Sequence, residues 1–217
     1  MKPAWLALAV QLAAGAHAIA QSPVVSMDFT NPQASPSHWT LTLHPDGSGH
    51  FASQRNTAPI SPGQELEAPS ISRDIQVTAQ FAQRVFRTAQ AQNWFNKTCE
   101  SDLKVAFQGW KKLSYSGPLG AGSCAFNYSR IKQVQALSDS LAAVAQTILE
   151  GARLEMFLEH DPLGLDREMR FLTEAAKNGQ AQQLCAIRGI LERLAQDDQV
   201  MYLVRKQAKE LLAYKGI

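Results

Sequence analysis

The chain has 217 residues, 45% of them hydrophobic, with 21 Lys and Arg against 19 Asp and Glu. A formal charge of +2, with the two signs interspersed, gives no electrostatic case for nucleic acid or an anionic membrane surface as partner. The length is enough for one domain, or a domain with an appendage, to bury its own core.

Residues 1–20 read as a signal peptide. Lys2 supplies one positive charge, Ala4 to Ala14 form an apolar run broken only by Gln11, and Ala18-Ile19-Ala20 offers a small-x-small cleavage pattern. Ala16-His17-Ala18 is the alternative cut site. The run is far shorter than the roughly 20 residues that cross a bilayer, and no later stretch is both long and uncharged enough. The mature chain is therefore expected to be exported, periplasmic or extracellular, without a transmembrane segment. Residues 21–36, with Pro23, Pro32 and Pro36 among Ser, Gln and Asn, read as a flexible leader.

An antiparallel sheet of about six strands with one packed helix is expected over residues 37–129, which makes the fold α+β. Trp39, Leu41 and Leu43 alternate with Thr40, Thr42 and His44, the period of a strand with one buried face. Pro45-Asp46-Gly47 then sets a bulged turn, and the register that puts His44 opposite Ser48 brings Leu41 across from Phe51. Gln54 to Ser70 reads as an irregular loop, and Ile71 to Val77 as a third strand. From Thr78 the period becomes helical through Phe81, Val85, Ala89 and the Trp94-Phe95 pair. Three more strands are expected at Leu103 to Gln108, Lys112 to Ser116 and Ser123 to Tyr128, the last two joined by the Gly-rich run 117–122.

Residues 130–217 read as helix throughout, about four in all. Val134, Leu137, Leu141, Ala145, Ile148, Ala152 and Met156 form one long stripe, ended by His160, Asp161 and Pro162. Three shorter helices of roughly 14 to 18 residues follow as antiparallel neighbours, the last capped by Asp197 or Asp198. The spacing resembles the helix pairs of HEAT-type arrays, but at most two pairs fit, so a small C-terminal bundle is expected.

In an oxidising compartment Cys99 and Cys124, both in the sheet region, are the pair expected to bridge. Cys185 is left as a thiol beside an apolar helical stripe, buried and inert. Candidate chemistry is sparse. His44 and His50 sit diagonally across the first hairpin, a possible metal pair without a placed carboxylate, while His38 lies too far along its strand. Glu155 and Glu159 share a helix face and with Asp161 offer carboxylates for acid and base work, although the helix dipole explains Asp161 and Asp166, and His160 at the helix end, without catalysis and is the favoured reading. The run 117–122 lacks the Lys-Ser or Lys-Thr of a phosphate loop, so a hairpin is the reading. Lys111-Lys112 and the Arg205, Lys206, Lys209 and Lys215 set read as a turn and a solvated helix face. Trp110, beside Gly109 at an expected turn, is the one aromatic off the apolar faces and so the candidate binding residue.

No motif implies a cofactor. The expectation is a noncatalytic exported module that contacts an unknown protein or envelope component. The alternative is an extracytoplasmic hydrolase using Glu155, Glu159 and Asp161.

Overall fold

The computed structural model describes residues 22–54 and 70–214; the segment expected to be a signal peptide and most of the expected loop lie outside them. Six strands form one antiparallel sheet: β1 (Val24–Thr30), β2 (His38–Leu43), β3 (Ser48–Gln54), β4 (Ile71–Gln76), β5 (Trp110–Gly117) and β6 (Gly120–Phe126), in spatial order β4-β3-β2-β1-β5-β6. The first four run as a meander. The chain then crosses the sheet through helix α1 (Ala79–Ala91), and β5 joins the other side of β1.

Strand β1 corrects the expected leader. Val25 and Met27 are buried, with Val25 opposite both Leu43 and Tyr115, so residues 24–30 are a central strand. Backbone groups there are paired on both edges, which a flexible segment leaves to water. A second correction concerns Leu103 to Gln108, which form no strand. The count of six holds because β1 takes the place of that run.

The first hairpin forms as its turn chemistry dictates. Gly47 takes φ 87°, the His44 amide donates to Ser48 O at 2.8 Å, and Leu41 faces Phe51. Asp46 Oδ1 accepts from both the amide and the hydroxyl of Ser48, and the hydroxyl contact contributes most to holding this carboxyl below its ordinary value. The Gly-rich run is tighter than expected: Gly117 pairs with Gly120, leaving Pro118-Leu119 as the turn.

One face of the sheet is apolar and covered by α1 and by the first half of α2 (Lys132–His160); the core joins Met27, Leu41, Phe51 and Leu113 to Phe81, Val85, Leu141 and Ile148. Helix α1 starts at Thr78, whose hydroxyl accepts from the Phe81 amide, and stops at Ala91, short of the expected Asn96. Asn93, Trp94 and Phe95 then take φ of 52°, 54° and 64°, three left-handed residues in succession. Such residues carry strain. It is compensated by burial of Phe95 and by Trp94 stacking on Tyr115 at 4.2 Å. The turn lies against edge strand β6 so closely that a side chain on Gly122 would collide with Trp94 O, which leaves the edge no room for a foreign strand there.

The second half of α2 packs with α3 (Leu165–Lys177), α4 (Arg188–Gln196) and α5 (Tyr202–Ala213) around Leu154, Phe157, Met169, Leu172, Leu191, Leu194 and Val204. These helices are shorter than expected, because residues 184–187 form a tight helical turn instead of the start of α4. Nor does an aspartate cap α5. Asp197 Oδ1 accepts from the Gln199 amide, Asp198 pairs with Arg205 at 2.6 Å, and Met201 takes the cap position. Gln183 ties the two cores together: buried, its Oε1 accepts from the Thr78 amide and hydroxyl at 2.8 and 2.9 Å.

Candidate functional site

The segment between the left-handed turn and β5 is pinned at both ends and open between them. At its start the Cys99 and Cys124 sulfurs are at bonding distance, with Cα atoms 5.6 Å apart, so the expected disulfide forms. Glu100 fastens the next residues: Oε1 accepts from the Ser101 amide and Oε2 from the Asn127 amide at 2.6 Å. Asn127 in turn holds the far end, accepting from the Gln108 amide at 2.7 Å and donating to Ala106 O at 3.2 Å. Gly109, at φ 107°, lets the chain pass against the Phe29 ring and enter β5.

Everything from Asp102 to Gln108 is exposed. Leu103 is 45%, Val105 38%, Phe107 48% and Trp110 51% accessible, and the Phe107 and Trp110 rings meet edge to face at 6.3 Å. Single exposed apolar residues are ordinary, whereas here four fall within eight positions and two of them, Phe107 and Trp110, are in ring contact; clustered apolar exposure of this kind marks interaction sites. Trp110, the one binding residue expected from the sequence, belongs to the cluster but opens β5 instead of sitting in a turn. Lys111 also departs from the turn reading. It is buried on the inner sheet face, its Nζ donating to Asn127 O at 2.9 Å. Burial pushes its ammonium below the ordinary value, partly offset by Asp139 and Glu100.

A second feature is a cleft of about 600 Å3 between the start of β4 and the end of α2, lined by Arg73, Glu155, Glu159, His160 and Arg193 among others. It brings Glu155, Glu159 and His160 together and leaves Asp161 outside. Arg73 grips Glu155 with both forks, NH1 to Oε1 at 3.1 Å and NH2 to Oε2 at 2.7 Å. The pair is about one third exposed on each side, so solvent screens it. Arg73→Ala should therefore cost no more than about 1 kcal/mol in urea unfolding; a loss several times larger would mean the clamp organises the α2 terminus.

The histidines are apart. His50 Nδ1 lies 2.8 Å from Asp74 and its Nε2 3.1 Å from Ser72 Oγ, so both ring nitrogens are engaged toward β4, away from the diagonal His44. His38 pairs with Asp28 at 3.1 Å. Among the described residues no cluster of three or more His, Cys, Asp or Glu is placed to hold a metal. Cys185 is half-buried on the tight turn, not on a helix stripe, with its thiol 3.5 Å from Gln76 O and its acidity reduced chiefly by burial.

Sequence reasoning missed Arg73, which lies 82 positions from its partner and has no local signal. It missed Glu100 and Asn127 as anchors, although an Asn-Tyr-Ser stretch after a strand is turn chemistry that invites side-chain to backbone bonds. No protein-family model matches the chain, and no curated protein matches it in sequence.

Proposed function

We propose that the protein is an exported, noncatalytic interaction module that contacts another protein of the cell envelope through residues 102–110. The observation that carries this is the pinned apolar row of Leu103, Val105, Phe107 and Trp110. A surface held by a disulfide and a side-chain bridge has already lost conformational entropy, so ordering it on binding costs little. Export is supported by the signal pattern of residues 1–20, and the Cys99–Cys124 bridge suits an oxidising compartment. No described helix is long and apolar enough to cross a membrane.

The test is a photo-crosslinking residue placed at Phe107, Trp110 or, as control, Leu119 at the β5–β6 turn, in the native compartment. One discrete protein adduct at the first two positions and none at the third is expected. Equal labelling at all three overturns the reading, and so does a mature mass that retains residues 1–20.

The hydrolase reading draws on one observation, the cleft that gathers Glu155, Glu159 and His160. Arg73 occupies both oxygens of Glu155, which leaves Glu159 and His160 to act as acid and base. Turnover of an ester, glycoside or peptide substrate that Glu159→Gln abolishes would favour it over the binding module.

A further inference from the structure

Ile71 and Ile75 of β4 face the core, so Ser72 and Asp74 stand on the open face of the sheet, beside His50 of β3. Arg73 between them points the other way and is clamped on Glu155, which fixes the strand. The Val77 amide donates to Gly47 O at 2.9 Å, so the backbone bonds from β3 to β4 come from Gly47, Gly49, Phe51 and Ser53. His50 and Asp74 are therefore an opposed pair without bonds of their own, the kind whose side chains come closest. Asp74 Oδ1 lies 2.8 Å from His50 Nδ1, and Ser72 Oγ lies 3.1 Å from His50 Nε2. An ionised carboxylate only accepts, so the ring proton sits on Nδ1, and Nε2 of the neutral ring accepts from the Ser72 hydroxyl. In that order an imidazole takes the proton of an attacking serine.

Two features give this relay a place to work. Ser72 is also on the wall of the cleft of about 600 Å3 that runs past the start of β4. Among the described residues β4 ends the sheet, and the alternation that turns the N–H groups of Ile71, Arg73 and Ile75 toward β3 turns those of Ser72 and Asp74 to the open edge. A backbone N–H left unpaired by the sheet is a donor for a developing oxyanion, a role that the amide of the attacking serine itself fills in serine hydrolases.

We propose that Ser72 is the nucleophile, His50 the general base and Asp74 the positioning residue of a site that hydrolyses small esters held in the cleft. The relay shares the cleft of the hydrolase reading and none of its acid and base residues. It goes beyond the contact surface of residues 102–110, since β3, β2 and β1 lie between β4 and β5. Turnover at Ser72 would make the chain a catalyst as well as a binding module. The hydroxyl proton passes to Nε2 as Ser72 Oγ bonds to the ester carbonyl carbon. The bond from that carbon to the alkoxy oxygen then breaks, the alcohol leaves with the proton, and the acyl group stays on Ser72. Water repeats the sequence: it gives a proton to Nε2 and bonds to the acyl carbon, and Ser72 regains the proton as the acid departs.

The test treats the full chain with an alkyl fluorophosphonate, which phosphonylates activated serines, and with p-nitrophenyl esters of short fatty acids. The expected adduct is on Ser72 by peptide mass, formed at least about a hundredfold faster than on Ser123, a serine exposed on the same face without a histidine beside it. Ser72→Ala should abolish ester turnover, and His50→Ala should slow both reactions by at least about a hundredfold, the scale of general-base catalysis. All three side chains lie on the open face, so the variants should keep the parent's circular dichroism and unfolding midpoint. The Asp74 side chain is 96% exposed, so water screens its charge and its share is smaller. Asp74→Ala should slow the adduct roughly fivefold and Asp74→Glu recover most of that, a rescue that a merely structural role does not give. Labelling of Ser72 at the rate of Ser123, or at a rate that His50→Ala leaves unchanged, overturns the proposal. So does a chain that cleaves none of the esters. Turnover that survives Ser72→Ala but is lost in Glu159→Gln returns the cleft to its carboxylates and likewise overturns the relay. Crosslinking from Phe107 and Trp110 reads the contact surface separately, so either can fail alone.

Discussion

Replacing Cys99 and Cys124 together by Ala is expected to lower the unfolding free energy by about 3 kcal/mol, the chain-entropy value for a loop of this size. The two cysteines are separated by 25 positions and both are buried, so alanine leaves no orphaned polar group in the core. The bridge matters beyond that sum. Residues 99–109 hold to the sheet by few contacts: the disulfide, the Glu100 carboxylate, the Ser101 amide on Tyr128 O, and Asn127. Without the covalent anchor the apolar row loses its fixed shape, and crosslinking from Phe107 should fall with it. Urea unfolding of the double variant beside the parent, the parent with and without reductant, checks the first claim. Stability within about 1 kcal/mol of the parent would show that packing, not the bridge, holds the segment.

The same segment shows where sequence patterning is decisive and where it is not. Residues 24–30 and 103–108 alternate equally well, Val25, Met27 and Phe29 in one, Leu103, Val105 and Phe107 in the other. Period alone ranks them equal. Proline at 23, 32 and 36 argues against the first, yet it becomes the central strand, because its prolines fall outside the paired residues and both its edges find partners. Which alternating run enters a sheet is settled by contacts far apart in sequence, and a local period does not carry that information. The first hairpin was legible to the residue because Pro45-Asp46-Gly47 fixes register locally. The long stripe of α2 was legible for the same reason, since its period is internal to the helix. The candidate site divides along the same line. Trp110 stood out by its neighbours in sequence, whereas Arg73 on Glu155, Asn127 on Ala106 and Gln183 on Thr78 are long-range pairings that only the fold brings together.

Glu150→Gln should make the protein more stable at neutral and alkaline pH, an unusual outcome for a change to a buried residue. Glu150 sits on α2 with 1% of its surface exposed. Its Oε1 accepts from Gln146 at 2.7 Å and lies 3.5 Å from Arg153, while Oε2 has no partner among the described residues. Burial raises the carboxyl most, Arg153 pulls it back, and Glu168 on α3 adds like charge, so its pKa moves from an ordinary 4.5 to about 7. Arg167 leans on Glu168 at 3.3 Å but is largely exposed, and offsets little. The folded chain therefore holds a proton that the unfolded chain has lost between about pH 4.5 and 7, and stability must fall across that window as pH rises, then level off. A shift of this size corresponds to roughly 3 kcal/mol at one and a third per pKa unit. Glutamine keeps the shape, still accepts from Gln146 and carries no charge to desolvate. The variant should match the parent near the lower end of the window and exceed it by up to about 3 kcal/mol above the upper end, with its own slope flattened. Thermal and urea unfolding at several pH values read this directly. A variant that keeps the parent's slope would place the titrating group elsewhere. One that is less stable at alkaline pH would show that the ionised carboxylate finds in Arg153 more than it loses to burial, and that the α2–α3 contact is held by charge and not by its neutral form.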